Sequence, residues 1–432
     1  MYHRIIKGGG ILISSNIVAS ILGFIVLALV AKNLSIEEFG VIGIIQSYTL
    51  TISALLNFQT WQTIVKYYPR IKGNSELIQS LLKYSLRLDI ITAIIAFVFG
   101  VLLLEISYQI INLPVEYKYC AQIYLLSILT KLNGTATGYL RVRDKYNIFF
   151  KSQVFAGFVK LILVLIILFF DFGLLYIIIA FMLGEIIYDI TLNLNFYKVL
   201  KTDKLNRFFK KSTKLIKNNY KDIFDFSLYS NLTSSFDAII FQADIMIVSG
   251  FFGLSYAGCF KMIKVIVGLI NRLAGPVSIT ISPIISELIA ENKFKELRSK
   301  LLKSFLFLTI FLCLSFGLFL AIDELVVRVI FNEEYVKYIY YLDFAMFNLF
   351  VSLIFMGIHP ATNFLGYHRQ ILYIIMAMSL FYFALIYLFN DSVGFEIIFI
   401  AQLIQISTII ISKLYLSNKK LNLISISKSS IL

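Results

Sequence analysis

The chain has 432 residues, 59% hydrophobic and only 15% charged, with a formal net charge of +14. That apolar excess excludes a water-soluble domain, and the lone cysteines Cys120, Cys259 and Cys313 exclude a disulfide framework or a Cys-based metal site. In a soluble protein the positive charge would suit nucleic acid; here it falls between apolar stretches and is assigned to topology and to the anionic inner leaflet.

The first apolar stretch, Ile11–Ala31, is too long for a removable leader and lacks a small-residue cleavage site. Gly8-Gly9-Gly10 before it has no Lys-Ser/Thr continuation and is no phosphate loop. Further stretches follow at Val41–Val65, Leu86–Leu104, Ala121–Leu140, Ile148–Phe170 and Gly173–Asn195. After a basic interval they resume at Ile223–Ser249, Ala257–Ile281, Leu301–Ile322, Tyr338–Leu365, Ile371–Phe389 and Gly394–Leu416. About 20 apolar residues make a helix that crosses a bilayer, and in lipid only a helix or a closed barrel satisfies its own backbone. The sequence therefore predicts an all-α polytopic membrane protein with about 12 transmembrane helices, in two six-helix bundles around a central cavity.

Basic residues orient these helices. With the N-terminus inside, 30 of the 39 Lys and Arg fall in inner segments, four in outer loops and five within helices. The Lys/Arg bias marks the cytoplasmic side, so both termini are expected in the cytoplasm. The inner segments include four bases counted to the C-terminal tail, among them Lys413.

The basic interval suggests three parts: an N-terminal bundle, 1–197; a linker, 198–222; and a C-terminal bundle, 223–432. Apolar residues in the linker (Leu205, Phe208, Phe209, Leu215, Ile216) recur at mostly helical spacing. They predict an amphipathic helix on the inner surface, or simply a solvated charged face. LVAKNLSIEEFGVIG and IVSGFFGLSYAGCFK echo each other, as duplicated transporter halves do. Pro276 and Pro283 are expected to kink or end the eighth helix, and Pro360 to interrupt the tenth near Gly357.

At this point the residues carry a resemblance. ISSNIVASILGFIVLALVAKNLSIEEFGVIG, with its turn at Leu34–Gly40, resembles the opening of polysaccharide-biosynthesis (O-antigen) flippases. These belong to the multidrug/oligosaccharidyl-lipid/polysaccharide exporter superfamily. FDAIIFQADIMIVSGFFGLSYAGCFKMIKVI is similar to that family's seventh helix and turn, with Asp244, Gly250, Gly253 and Tyr256 in the matching places. PVSITISPIISELIAENKFKELRSKLLK resembles the segment after the eighth helix. Gln242 and Ala243 stand where an Arg often precedes the Asp, so no role of that Arg carries over. The resemblance implies a flippase for an undecaprenyl-pyrophosphate-linked oligosaccharide, an O-antigen or capsule repeat unit, in the bacterial cytoplasmic (inner) membrane. Membrane lipids, H+ or Na+ and other polysaccharide assembly proteins are its implied partners; nucleic acid is not among them.

Charges at mid-membrane are costly and mark function or pairing. Lys131, Lys160, Lys261, Lys264 and Arg272 are the expected substrate-binding bases. Glu185, Asp189, Asp237 and Asp244 are expected to couple an ion or pair with those bases. Asp89 and Asp225 lie nearer the inner face. At about 100° per residue, Asp237 and Asp244 share one face of their helix, as do Lys261, Lys264 and Arg272 of the next. Counting from the turn at Phe251–Phe252 puts Asp244 and Lys261 at one depth, facing each other as either a structural pair or part of a cationic cavity. Lys131 and Lys160 have no acid at helical spacing on their own helices, which leaves them to a ligand or to snorkelling. Asn57, Gln59 and Gln62, around Trp61, either line the same cavity or pack helices. No catalytic residues, metal or cofactor are expected. A drug exporter of the same superfamily would want an acidic or apolar cavity, and five intramembrane bases disfavour it. A polytopic O-antigen polymerase or ligase would want a large outer loop with Arg or His; the longest outer stretch is Asp323–Lys337, without His.

Overall fold

The structure is a computed structural model that describes residues 2–56, 58 and 60–429. Side chains are described except at 2–17, 229–241, 421–429, His368 and several positions between 273 and 290. Among the described residues every regular element is helical. The helices are α1 (Tyr2–Asn33), α2 (Ile36–Leu56), α3 (Thr60–Ile71), α4 (Ser75–Ser107), α5 (Val115–Leu125), α6 (Asn133–Val142), α7 (Tyr146–Phe169) and α8 (Leu174–Thr202). Then come α9 (Lys214–Asn219), α10 (Ile223–Phe252), α11 (Leu254–Ala290), α12 (Phe294–Ile330), α13 (Ile339–Ile354), α14 (Ile358–Thr362), α15 (His368–Val393) and α16 (Ile397–Ser429).

Seven stretches among the described residues are long and apolar enough to cross a membrane, or eight if the bent pair of α13 and α14 is one span. One of the seven, 369–420, takes in both α15 and α16, which meet at Gly394 with φ +76°. Continuous rows of large apolar side chains lie exposed, such as Ile91, Ile94, Val98 and Leu102 on α4, or Phe307, Phe311, Leu314 and Leu318 on α12. Surfaces of that size and uniformity suit acyl chains.

Two predicted spans are interrupted. Val41–Val65 becomes α2 and α3, with the non-helical Phe58 between them, and Ala121–Leu140 becomes α5, a 3-10 turn over Leu126–Thr130, and α6. Such breaks expose backbone groups that must find partners inside the protein. At Pro276 and Pro283 the helix does not end: α11 runs through both to Ala290. The bend near Pro360 is present, 48° between the helices on either side of Phe355–Gly357, with Pro360 in the first turn of α14 where a missing N–H is tolerated.

By packing, the chain divides after Lys261 into one compact unit of residues 1–261 and another of 262–432. In the first unit α1 packs on α7, α7 on α8, α3 on α4 and α6, and α2 on α4 and α10. Close packing of α10 along α2 is what brings residues beyond the basic linker into this unit. In the second, α12 packs on α13, α15 on α16, and α16 also meets α13 and α14.

The linker is not one long amphipathic helix. After α8 it turns at Lys204 (φ 58°), and its only α-helical piece is α9. Leu205, Phe208 and Ile216 are buried in a cluster with Tyr67, Leu81, Tyr139 and Phe196. Polar contacts fix the docking. Tyr139 Oη donates to Asp203 at 2.6 Å, Arg143 pairs with Asp203 at 2.7 Å, and Ser80 Oγ donates to the Ser212 carbonyl at 2.7 Å. At its end, Asp222 accepts from Tyr67 Oη at 2.8 Å, and that bond, aided by Lys66, holds its carboxyl below the ordinary value. Phe209 and Leu215 stay exposed.

The two echoing turns meet within the first unit. Gly253 takes φ +89° between α10 and α11, a conformation that costs glycine little. A Cβ on Gly40 would lie 2.5 Å from the Leu254 carbonyl oxygen, and one on Gly258 would collide with the Ile36 carbonyl. Glu37 accepts from Ser255 Oγ, and Asn112 Nδ2 donates to the Ser249 carbonyl at 2.7 Å. The contact closes only because both helices present glycine.

Candidate functional site

The two helix breaks face each other across Asp89. This α4 carboxylate, fully buried, accepts from Thr60 Oγ1 at 2.6 Å, Thr135 Oγ1 at 2.6 Å and the Thr135 backbone N–H at 2.9 Å. It thereby satisfies an otherwise orphaned N–H in the first turn of α6 and ties that turn to the first residue of α3. Gly134 leaves room for the approach, since a Cβ there would sit 2.8 Å from Asp89 Oδ1.

Beside the breaks lies a cavity of about 600 Å³, a size suited to a ligand. Its wall takes Gly23 from α1, Ser53 from α2, Phe58 and Trp61 from the first break, and Lys131, Asn133 and Gly134 from the second. Gln153 and Lys160 of α7, Glu185, Tyr188 and Asp189 of α8, and Gln242 of α10 complete its polar lining. Arg141 stacks over the Trp61 ring at 4.2 Å from its centroid.

Both acids of the cavity are engaged. Glu185 pairs with Lys131 at 3.1 Å and accepts from Tyr124 Oη at 2.6 Å. Lys131 has no acid on its own helix, and the break after Thr130 puts its side chain within reach of this one on α8. Asp189 accepts from Thr130 Oγ1 at 2.9 Å and from Asn133 Nδ2, which belongs to the same break. Lys160 differs. Its stem packs against Gly184, its ammonium sits 5.1 Å from the Phe181 ring centroid, and no carboxylate lies within 4 Å of it among the described residues.

Lys261 is buried, 4% exposed, and lies behind this wall. It donates to Gln46 Oε1 at 3.0 Å, and Gln46 reaches Tyr124 Oη at 3.5 Å, so a hydrogen-bonded chain runs from Lys261 through Gln46 and Tyr124 to Glu185. The predicted facing of Asp244 and Lys261 is not seen: Gln46 of α2 takes the lysine, and Asp244 accepts from the Ile245 N–H. Lys264 and Arg272 belong to the second unit, with Arg272 exposed. The Asp237 side chain, Asn57 and Gln59 lie outside what is described, and Gln62 is not in the cavity wall. Sequence reasoning missed Gln46, Thr130, Tyr124 and Asn133; the polar run Thr130–Thr135 inside an apolar stretch was the available signal.

The model of the family described as polysaccharide biosynthesis protein matches residues 5–289, more than half of the chain. This chain belongs to that family. Inner membrane protein YghQ of Escherichia coli K12 is 31% identical over 174 residues, which are 40% of this polysaccharide biosynthesis protein and 49% of YghQ. The alignment thus spans about half the length of that relative. Among solved structures, an inward-facing multidrug resistance transporter of the MATE family and MOP superfamily matches with a TM-score of 0.71 at 16% identity, over 94% of this chain and 95% of that one. A Pyrococcus furiosus MOP-superfamily transporter, described by a binding pocket of reverse polarity, matches at 0.60 and 14%, over 97% and 96%. Vibrio cholerae MATE transporter VcmN matches at 0.59 and 13%, over 97% of both chains. At such identities these likenesses establish the fold: the family member described here is an all-helical, multi-pass membrane protein of MATE-like architecture.

Proposed function

We propose that this protein is a flippase that carries an undecaprenyl-pyrophosphate-linked oligosaccharide, an O-antigen or capsule repeat unit, from the inner to the outer leaflet of the bacterial inner membrane by alternating access. In this reading it has twelve spans and both termini in the cytoplasm. The observation that carries the proposal is Lys160, a cavity-wall ammonium with no carboxylate within 4 Å among the described residues, beside two acids already committed to other donors. A site so arranged attracts an anion, and the pyrophosphate is the anion of this cargo. Asn133, Gln153 and Gln242 offer hydrogen bonds to sugars, and Trp61 an aromatic face. Lys131 stands as a second phosphate ligand that its pairing with Glu185 holds in place; Lys261 acts behind it through Gln46 and Tyr124. Lys264 and Arg272 are kept as further proposed substrate-binding bases.

Glu185, Asp189, Asp237 and Asp244 are proposed carriers of H+ or Na+ coupling. Polysaccharide assembly proteins that consume the flipped unit are the natural partners, and membrane lipids its surroundings. A drug exporter of the same fold would need an acid free to meet an organic cation; the engagement of Glu185 and Asp189 speaks against it. The test is complementation of a strain lacking the protein. Lys160→Ala and Lys160→Glu should abolish surface polysaccharide while protein persists in the membrane, and Lys160→Arg should retain it. Full complementation by Lys160→Glu would defeat the reading.

A further inference from the structure

A second buried base lies in the unit formed by residues 262–432, and its reading rests on the proposed function only for the membrane orientation. Lys413 lies on α16, where the sequence alone assigned it to the C-terminal tail, yet it is only 8% exposed. Its Nζ sits 2.6 Å from His359 Nδ1, just beyond the bend between α13 and α14. An ammonium has no lone pair, so it donates to Nδ1, and the imidazole proton then resides on Nε2. Around the pair lies a cavity of about 320 Å³. Its other polar residues are Asn271 and Ser352, and the rest of its wall is apolar, with Leu353, Phe355, Met356 and Ile358 on one side and Ile406, Ile409 and Ile410 on the other. Among the described residues no carboxylate lies within ion-pair distance of Lys413, and none lines the cavity.

A buried cation normally has an acid beside it, because an uncompensated charge in a low-dielectric site is costly. Here the nearest group is a second nitrogen base, and the donors outnumber the acceptors: two remaining N–H bonds of Lys413, the His359 Nε2–H and the Asn271 amide. We infer that Lys413 and His359 form an anion site for a phosphate borne on an apolar chain, with the phosphate against the two nitrogens and the chain along the isoleucine and phenylalanine walls. Position agrees with this chemistry. Ser417, one turn beyond Lys413, meets Thr362 at 3.1 Å, and Thr362 is close in sequence to the inner-loop residue Arg369. With the proposed orientation the pair lies at the level of inner-leaflet headgroups. Free phosphate would satisfy the nitrogens but leave the apolar wall without a purpose.

The test uses full-length protein in detergent and a diazirine-bearing farnesyl phosphate, with crosslinked peptides mapped by mass spectrometry. Labelling should appear in 352–358 or 406–413 and be competed by farnesyl phosphate but not by farnesol. Lys413→Gln should reduce labelling of those peptides about tenfold, the value of one charge-assisted hydrogen bond, and Lys413→Arg should restore most of it. Should Lys413→Gln fail to fold, judged by its melting, His359→Leu removes the second nitrogen and should likewise weaken labelling. Unchanged labelling in the folded variants, or labels confined to 131–189, would overturn the site. Equal competition by farnesol, or by inorganic phosphate, would overturn the lipid-borne phosphate as its ligand.

Discussion

Removing the carboxylate at Asp89 should unfasten both helix breaks at once. In Asp89→Ala the Thr135 N–H loses its acceptor inside the protein, at about 1–3 kcal/mol for a stranded buried donor. The hydroxyls of Thr60 and Thr135 can turn to other acceptors, so each costs about 1 kcal/mol in lost net hydrogen bonding. Relief of the desolvated charge offsets part of this, since an unpaired buried carboxylate is itself expensive. The net expectation is about 3 kcal/mol for Asp89→Ala, and about half that for Asp89→Asn, which keeps one acceptor oxygen. Reversible denaturant titration in detergent, with melting as a second readout, measures both. A change below about 1 kcal/mol for Asp89→Ala, the size of a single ordinary hydrogen bond, would refute the argument that this residue holds α3 and α6 together.

Three other outcomes are expected. Lys131 and Glu185, with side chains 16% and 30% exposed, should show a coupling of about 1–2 kcal/mol in a double-mutant cycle with Lys131→Gln and Glu185→Gln; additive effects would mean that the ion pair contributes nothing. Gly258→Ala should lower the melting temperature sharply through its collision with the Ile36 carbonyl, while Gly268→Ala, which meets nothing within 4 Å, should not; equal effects would remove the glycine contact as the reason. Cysteine labelling in intact cells should reach the Asp323–Lys337 loop from outside and leave 203–221 protected, and labelling of both from one side would dismantle the proposed topology.

Much of the fold was legible because hydrophobic length and basic loops are strong local signals. α4, α7, α8 and α12 lie where apolar runs predicted them, extended by polar turns that hydropathy does not see. The breaks were hidden for the same reason: a window of about 20 residues averages Thr130–Thr135 into its apolar flanks. Helix membership could bring Lys261 and Asp244 to one depth, but not decide rotation about each axis, and α2 supplied Gln46 in place of the acid. Pairing of Lys131 with Glu185 joins separate helices, beyond the reach of helical spacing. Lys413 was misjudged because a base near the end of the last apolar run reads as tail, and only packing of α16 against α13 and α14 buries it. The linker misled in the other direction: Leu205, Phe208 and Ile216 turn inward to cap the first unit's core.

The most direct measurement is transbilayer movement in proteoliposomes that contain the purified protein and a lipid-linked oligosaccharide, scored by the fraction of sugar accessible to an added lectin or glycosidase. The account predicts protein-dependent movement that Lys160→Glu abolishes and Lys160→Arg preserves, each variant melting as the wild type does. Movement of the lipid-linked sugar unaltered in Lys160→Glu, or no movement alongside export of an organic cation, would contradict it.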